Sequence, residues 1–189
     1  MSEEHLVKYP DPILTTPCAD FDFKNPPVDP NKCASALVET CKKHNGIGLS
    51  ANQCGYEYRV FVMGSGDNYV AFYNPEIISV SEKTNNIEEG CLSFPELRYE
   101  TRRAMKAVAK GFNMYGEPVT VEGTEFLARA LQHETDHLDG IVFIDRLSDD
   151  LRKEAMKEIR NSDWFLESQS RGLDPKIRIS PHRTNGQAF

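Results

Sequence analysis

Residues 133–137 read His133-Glu134-Thr135-Asp136-His137, and this run restricts the fold more than anything else in the chain. Histidines at i and i+4 lie on the same face of an α-helix, so a helical segment here aims both imidazoles at one point. Two such imidazoles can reach one metal ion, and the glutamate beside the first can act as general base on an activated water. The plainer alternative is a solvent-facing helix carrying incidental histidines. With only five His in 189 residues, that coincidence is the poorer explanation.

A catalytic metal usually takes three protein ligands and leaves one position open. A third histidine six residues beyond His137 is ruled out, because Phe143 stands there although Gly140 fits the pattern. A later glutamate is compatible by spacing: Glu154 and Glu158 lie in the run from Ser148, where basic and acidic residues alternate as on a solvated helix. The upstream segment Glu89-Gly90-Cys91-Leu92-Ser93 offers a thiolate instead. A lone cysteine is most often a small buried apolar residue, but beside the helix motif it makes a credible Cys-His-His set. A third stretch, Gly46-Ile47-Gly48-Leu49-Ser50-Ala51-Asn52-Gln53, matches neither the dinucleotide fingerprint nor a Walker loop. It offers open backbone close to a ligand and one carboxamide, and Gly46 reads also as a helix C-cap.

In order and spacing, these stretches resemble the three motifs of the peptide deformylase family. The first matches Gly-x-Gly-Leu-Ala-Ala-x-Gln, with Ser50 where alanine is usual. The second, Glu-Gly-Cys-Leu-Ser, is unchanged at 89–93, and Gln-His-Glu-x-Asp-His falls at 132–137, followed by Leu138 and Gly140. Tyr9-Pro10-Asp11-Pro12-Ile13-Leu14 resembles the family's N-terminal stretch, so the likeness runs from about residue 6 to about residue 160.

The resemblance implies a hydrolase that removes the N-formyl group from nascent chains beginning with formyl-methionine and releases formate. Cys91, His133 and His137 would bind one divalent ion, Fe²⁺ as the native metal, with Zn²⁺ or Ni²⁺ able to replace it. A hydroxide generated at that ion would attack the formyl carbon, with Glu134 as general base and then acid. Gln53 and the Leu92 N–H would hold the oxyanion. Ile47, Gly48 and Leu92 would border the substrate, Gly48 and the segment after Cys91 pairing with its backbone as an added strand. Arg98 would bind farther along the peptide, an ordinary surface arginine being the plainer reading. The helix face around Phe126, Ala130 and His133 lies within a turn or two of the ligands. Asp136 is expected to orient neighbours rather than bind metal, Glu89 to pair with Arg129 or another basic group, and Ser50 to alter only the packing behind its loop.

Length and composition (39% hydrophobic, 27% charged) suit one soluble globular domain. Residues 1–164 are expected to form the catalytic domain and 165–189 a tail of unknown role. No apolar run approaches the ~20 residues of a membrane span. The start, Met1-Ser2-Glu3-Glu4-His5, has neither the apolar core of a secretory signal nor the Arg-rich character of a transit peptide. Five scattered cysteines (18, 33, 41, 54, 91) suit a reducing cytoplasm. A net charge of −7 argues against nucleic acid, DNA included, as the main partner. Arg171, Lys176, Arg178, His182 and Arg183 make the tail locally basic, so a ribosome contact is one reading and a flexible partnerless tail the favoured one.

The expected fold is α+β: antiparallel sheets around a central helix that carries the 133–137 motif, with an N-terminal and a C-terminal helix. Asp29-Pro30 starts a helix to about residue 44, stopped by Asn45-Gly46. Strands are expected at 58–63, 69–73, 77–80, 104–114 and 119–121. Gly123-Thr124 opens the motif helix, its inner side made by Phe126, Leu127, Ala130, Leu131 and Leu138, and Ser148 caps a last helix to about 161. The rival enzyme reading is a peptidase using Glu154 or Glu158; the non-enzymatic one is a closed structural zinc site, which would need a fourth protein ligand.

Overall fold

The computed structural model describes residues 6–170. Helix α1 (Pro30–Lys43) begins where the Asp29 side chain accepts the Lys32 N–H at 2.9 Å, with proline in its first turn. It stops at Asn45-Gly46 as expected, with Asn45 rather than Gly46 in the left-handed conformation (φ 54°) and the Gly46 N–H on the Cys41 carbonyl.

The chain then enters β1 (Gly48–Ser50), the edge of a five-stranded antiparallel sheet in the order β1-β2-β3-β6-β7. The others are β2 (Val60–Ser65), β3 (Asn68–Val80), β6 (Lys106–Phe112) and β7 (Pro118–Thr124). The stretches expected as separate strands at 69–73 and 77–80 form one long β3. Asn74 at φ 48° and a register shift between Tyr73 and Glu76 bend the strand without ending it. A second sheet is the hairpin of β4 (Thr84–Cys91) and β5 (Phe94–Ala104). Its first strand, Thr-Asn-Asn-Ile-Glu-Glu, has almost no apolar alternation, which is why sequence reading passed it over.

The motif helix, α2 (Glu125–Leu138), packs against both sheets, which makes the fold the expected α+β arrangement around a central helix. Leu131 and Leu138 are buried on it against Phe61, Met63 and Phe72. Phe126 and Leu127 depart from expectation, since both are exposed in the first turn. The helix ends in a Schellman turn: the Ile141 N–H reaches the Asp136 carbonyl at 2.8 Å, and Gly140 adopts φ 71°.

Helix α3 (Asp149–Asn161) is capped by Ser148 as expected. It is followed by α4 (Asp163–Ser170), which crosses the expected 164/165 boundary and buries Phe165 with Tyr9, Phe94, Met156 and Ile159. The basic residues from Arg171 onward lie outside the described residues.

Candidate active site

Three elements converge on one point. From α2 come His133, Glu134 and His137, all buried; from the end of β4 comes Cys91; from the turn after β1 comes Gln53. The Cys91 sulfur and one nitrogen of each imidazole lie within 4.8 Å of one another. Among the described residues this is the one grouping of three or more such donors. Glu154 and Glu158 are exposed on α3, and Glu158 accepts the Tyr99 hydroxyl at 2.9 Å, so neither completes the site.

The donor chemistry fits a metal. His133 Nδ1 is bonded to the Glu89 carboxylate at 2.7 Å, which leaves its other ring nitrogen for a ligand. His137 Nε2 lies 3.2 Å from the Cys91 sulfur. Burial opposes charge on His133, but Cys91 and Glu89 outweigh it and hold its pKa well above the usual histidine value. Burial and the neighbouring His133 push His137 well below it. One soft sulfur and two imidazoles are a set that Zn²⁺ or Fe²⁺ accepts, and three donors leave an open position.

Glu134 stands beside this set. Burial pushes its carboxyl above the ordinary carboxylate range, partly offset by His133 and by a hydrogen bond from Ser50. A raised pKa suits a group that must both take and return a proton near neutrality. Gln53 is held at both ends: its Oε1 accepts the Ser50 N–H at 2.9 Å, and its amide faces Ser93 Oγ at 3.1 Å and Cys91 Sγ at 3.3 Å.

A cleft of about 600 Å³ opens over these groups. Ile47, Gly48, Gln53, Cys91, Leu92, Arg98, His133 and Glu134 all line it, and His137 sits deeper, beneath the lining but against Cys91, so the structure brings together every site residue expected from the sequence. Leu92 is in the turn between β4 and β5, and exposed Arg98 sits opposite Gly90 across the hairpin. A separate, largely apolar cavity of about 660 Å³ adjoins the cleft and shares Ile47, Phe126 and Ala130 with it.

Behind the candidate ligands is a buried ionic network. Glu89 accepts from Arg103 at 2.8 Å and Arg129 at 2.7 Å as well as from His133; burial raises its carboxyl, but His133 and Arg103 outweigh that and hold it far below the ordinary range. The expected Glu89–Arg129 pair is therefore present. Asp136 binds Arg103 and, at 2.5 and 3.0 Å, Arg146, which gives its orienting role definite partners. Gln132 ties the helix to the end of β5 through both backbone groups of Ala104, at 3.0 and 3.1 Å. Asn52 donates to the His137 carbonyl at 2.6 Å.

Arg103, Arg146 and the Ser50 hydroxyl are participants that sequence reading missed. Arg103 had a signal: it shares the inner face of β5 with Thr101, and a buried arginine requires acid partners.

The model of the family described as polypeptide deformylase matches residues 3–153. A peptide deformylase of Acidothermus cellulolyticus is 43% identical over the full length of both chains. One from Parafrankia sp. is 40% identical over 99% of each. Among solved structures, a mutant of Arabidopsis thaliana peptide deformylase 1B superposes with a TM-score of 0.84 at 29% identity, covering 93% of this chain and 98% of that one.

Proposed function

This chain belongs to the polypeptide deformylase family, and we propose that Cys91, His133 and His137 hold its metal while Glu134, Gln53 and Leu92 perform its chemistry. The enzyme is a metal-dependent hydrolase that removes the N-formyl group from nascent peptides. The observation that carries the residue assignment is the convergence of three ligand atoms within 4.8 Å beside a buried glutamate, under a cleft of about 600 Å³.

When bound, the divalent ion supplies a Lewis acid that polarises the formyl carbonyl and acidifies water. Glu134 removes one proton from the attacking water as the new C–O bond forms at the formyl carbon. The Gln53 amide hydrogen aimed at Cys91 and the Leu92 N–H supply hydrogen bonds as charge develops on the carbonyl oxygen. The C–N bond then breaks, Glu134 returns its proton to the departing amine, and the acid product leaves as formate.

Ile47, Gly48 and Leu92 border the methionine side chain and the peptide backbone, and Arg98 reaches residues farther along. Residues 1–164 carry all of these groups, with α4 extending the folded unit past that point. Fe²⁺ is the native ion in this reading, with Zn²⁺ or Ni²⁺ accepted by the same donors. The reading places the protein in the cytoplasm, where formylated chains emerge; for the basic residues after 170 a partnerless tail stays the favoured reading and a ribosome contact the alternative. Co-sedimentation of full-length and tail-deleted chains with ribosomes tests that contact.

The deciding experiment is formate release from formyl-Met-Ala-Ser by anaerobically purified, Fe²⁺-loaded protein, beside Glu134→Ala. Release by the wild type and its loss in a variant that still holds metal are expected. A correctly metallated wild type that releases no formate sinks the assignment.

A further inference from the structure

In β1, alternate residues face alternate sides. Leu49 points into the core with Leu37, Val60 and Val62, so Gly48 and Ser50 share the opposite face, toward α2. There they meet the two oxygens of one carboxylate. A Cβ on Gly48 would stand 2.3 Å from Glu134 Oε1, so only glycine leaves room for that oxygen. The Ser50 hydroxyl lies 2.6 Å from Oε2 and 3.0 Å from the Glu134 backbone carbonyl.

Ser50 is fully buried and touches a second working group as well. Its backbone N–H donates to Gln53 Oε1 at 2.9 Å, which turns the Gln53 amide toward Cys91. One residue thus contacts both Glu134 and the Gln53 carboxamide.

We infer that Ser50 is a positioning residue for Glu134, its hydroxyl holding the carboxylate in the orientation that faces the cleft. The inference rests on the deformylase reading above for the role of Glu134. A hydroxyl suits this task because it both donates and accepts. Toward the carboxylate it donates to Oε2. Toward the carboxylic acid it accepts from Oε2 and gives its own hydrogen to the Glu134 main-chain carbonyl. Glu134 therefore keeps a partner before and after it takes the proton. Alanine, the usual residue at this motif position, leaves the backbone tie to Gln53 intact but offers the carboxylate nothing.

Ser50→Ala isolates the hydroxyl, since it removes one buried oxygen and keeps the strand. Wild type and variant, both metal-loaded, are compared by steady-state kinetics on formyl-Met-Ala-Ser, by metal content and by crystal structures. The expected result is kcat lower by about tenfold, the order of one hydrogen bond to a charged group. KM should stay within about twofold and metal content equal, as for an interaction that matters only when the base works. The Glu134 carboxylate should no longer occupy a single orientation beside Gly48.

A variant at wild-type kcat overturns the inference, as does a fall confined to kcat/KM through KM. An unmoved Glu134 overturns it whatever the kinetics. Wild type that releases no formate refutes the deformylase reading instead, and the paired structures still decide whether Ser50 orients Glu134.

Discussion

Glu89 accepts a hydrogen bond from Nδ1 of His133 at 2.7 Å, and the same carboxylate takes the guanidinium groups of Arg103 and Arg129. The contact orients the imidazole and fixes which nitrogen is free, so an acid two residues before Cys91 prepares the proposed ligand on another element. Glu89→Gln should weaken metal affinity by roughly 10- to 100-fold. It should also lower stability, because buried Arg129 loses its carboxylate partner and buried Arg103 one of its two. Competition with a chelator reads the first effect and denaturant midpoints the second. Metal held as tightly as in wild type would show that the contact does not prepare the ligand.

The two levels of this site differ in how far sequence alone discloses them. Cys91, His133, Glu134 and His137 are legible because metal chemistry restricts both residue type and spacing, and a helix turns i,i+4 into a direction in space. α1 is legible from its Asp-Pro start for the same local reason. The supporting contacts are not local. Arg103 reaches Asp136 from 33 residues away and Ser50 reaches Glu134 from 84, and no periodicity encodes such pairings. The β4–β5 hairpin is hidden for another reason: its first strand faces a buried ionic network, so the apolar alternation of an ordinary half-buried strand is missing.

Gln53 gives the sharpest separation of chemistry from metal binding. Its amide is presented by Ser93 and by the Ser50 N–H, and it makes no structural tie that alanine would leave as a buried charge. Gln53→Ala should lower kcat by about 10²–10³, the usual cost of one oxyanion donor, with metal content unchanged. Single-turnover rates beside elemental analysis read both. Turnover at the wild-type rate would remove Gln53 from the reaction.

Gly48 is constrained by Glu134 rather than by its own backbone, since its φ lies outside the left-handed region. An added Cβ, 2.3 Å from Oε1, forces the carboxylate aside. A displacement of about 1 Å at a catalytic group can cost about 10²-fold. Gly48→Ala should therefore lose activity on that scale while keeping its metal, and a structure of the variant should show Glu134 turned away. A fully active variant would mean that the carboxylate has slack the packing does not suggest.

Alkaline pH should destabilise the fold through its buried and half-buried thiols. Burial is the leading cause that raises Cys18 and Cys33 to about 11 and Cys41 and Cys54 to about 12. Unfolded thiols ionise near 8.5. Above that pH the unfolded chain has released protons that the folded chain still holds, so stability falls as pH rises toward 11 to 12 and is insensitive to these groups below about 8. Urea midpoints between pH 7.5 and 9.5, below the ordinary tyrosine range, should decline steadily. Replacing Cys33 and Cys54 by alanine should flatten that decline even if the midpoint at pH 7.5 drops through lost packing. An identical slope in the double variant would assign the alkaline loss to other groups.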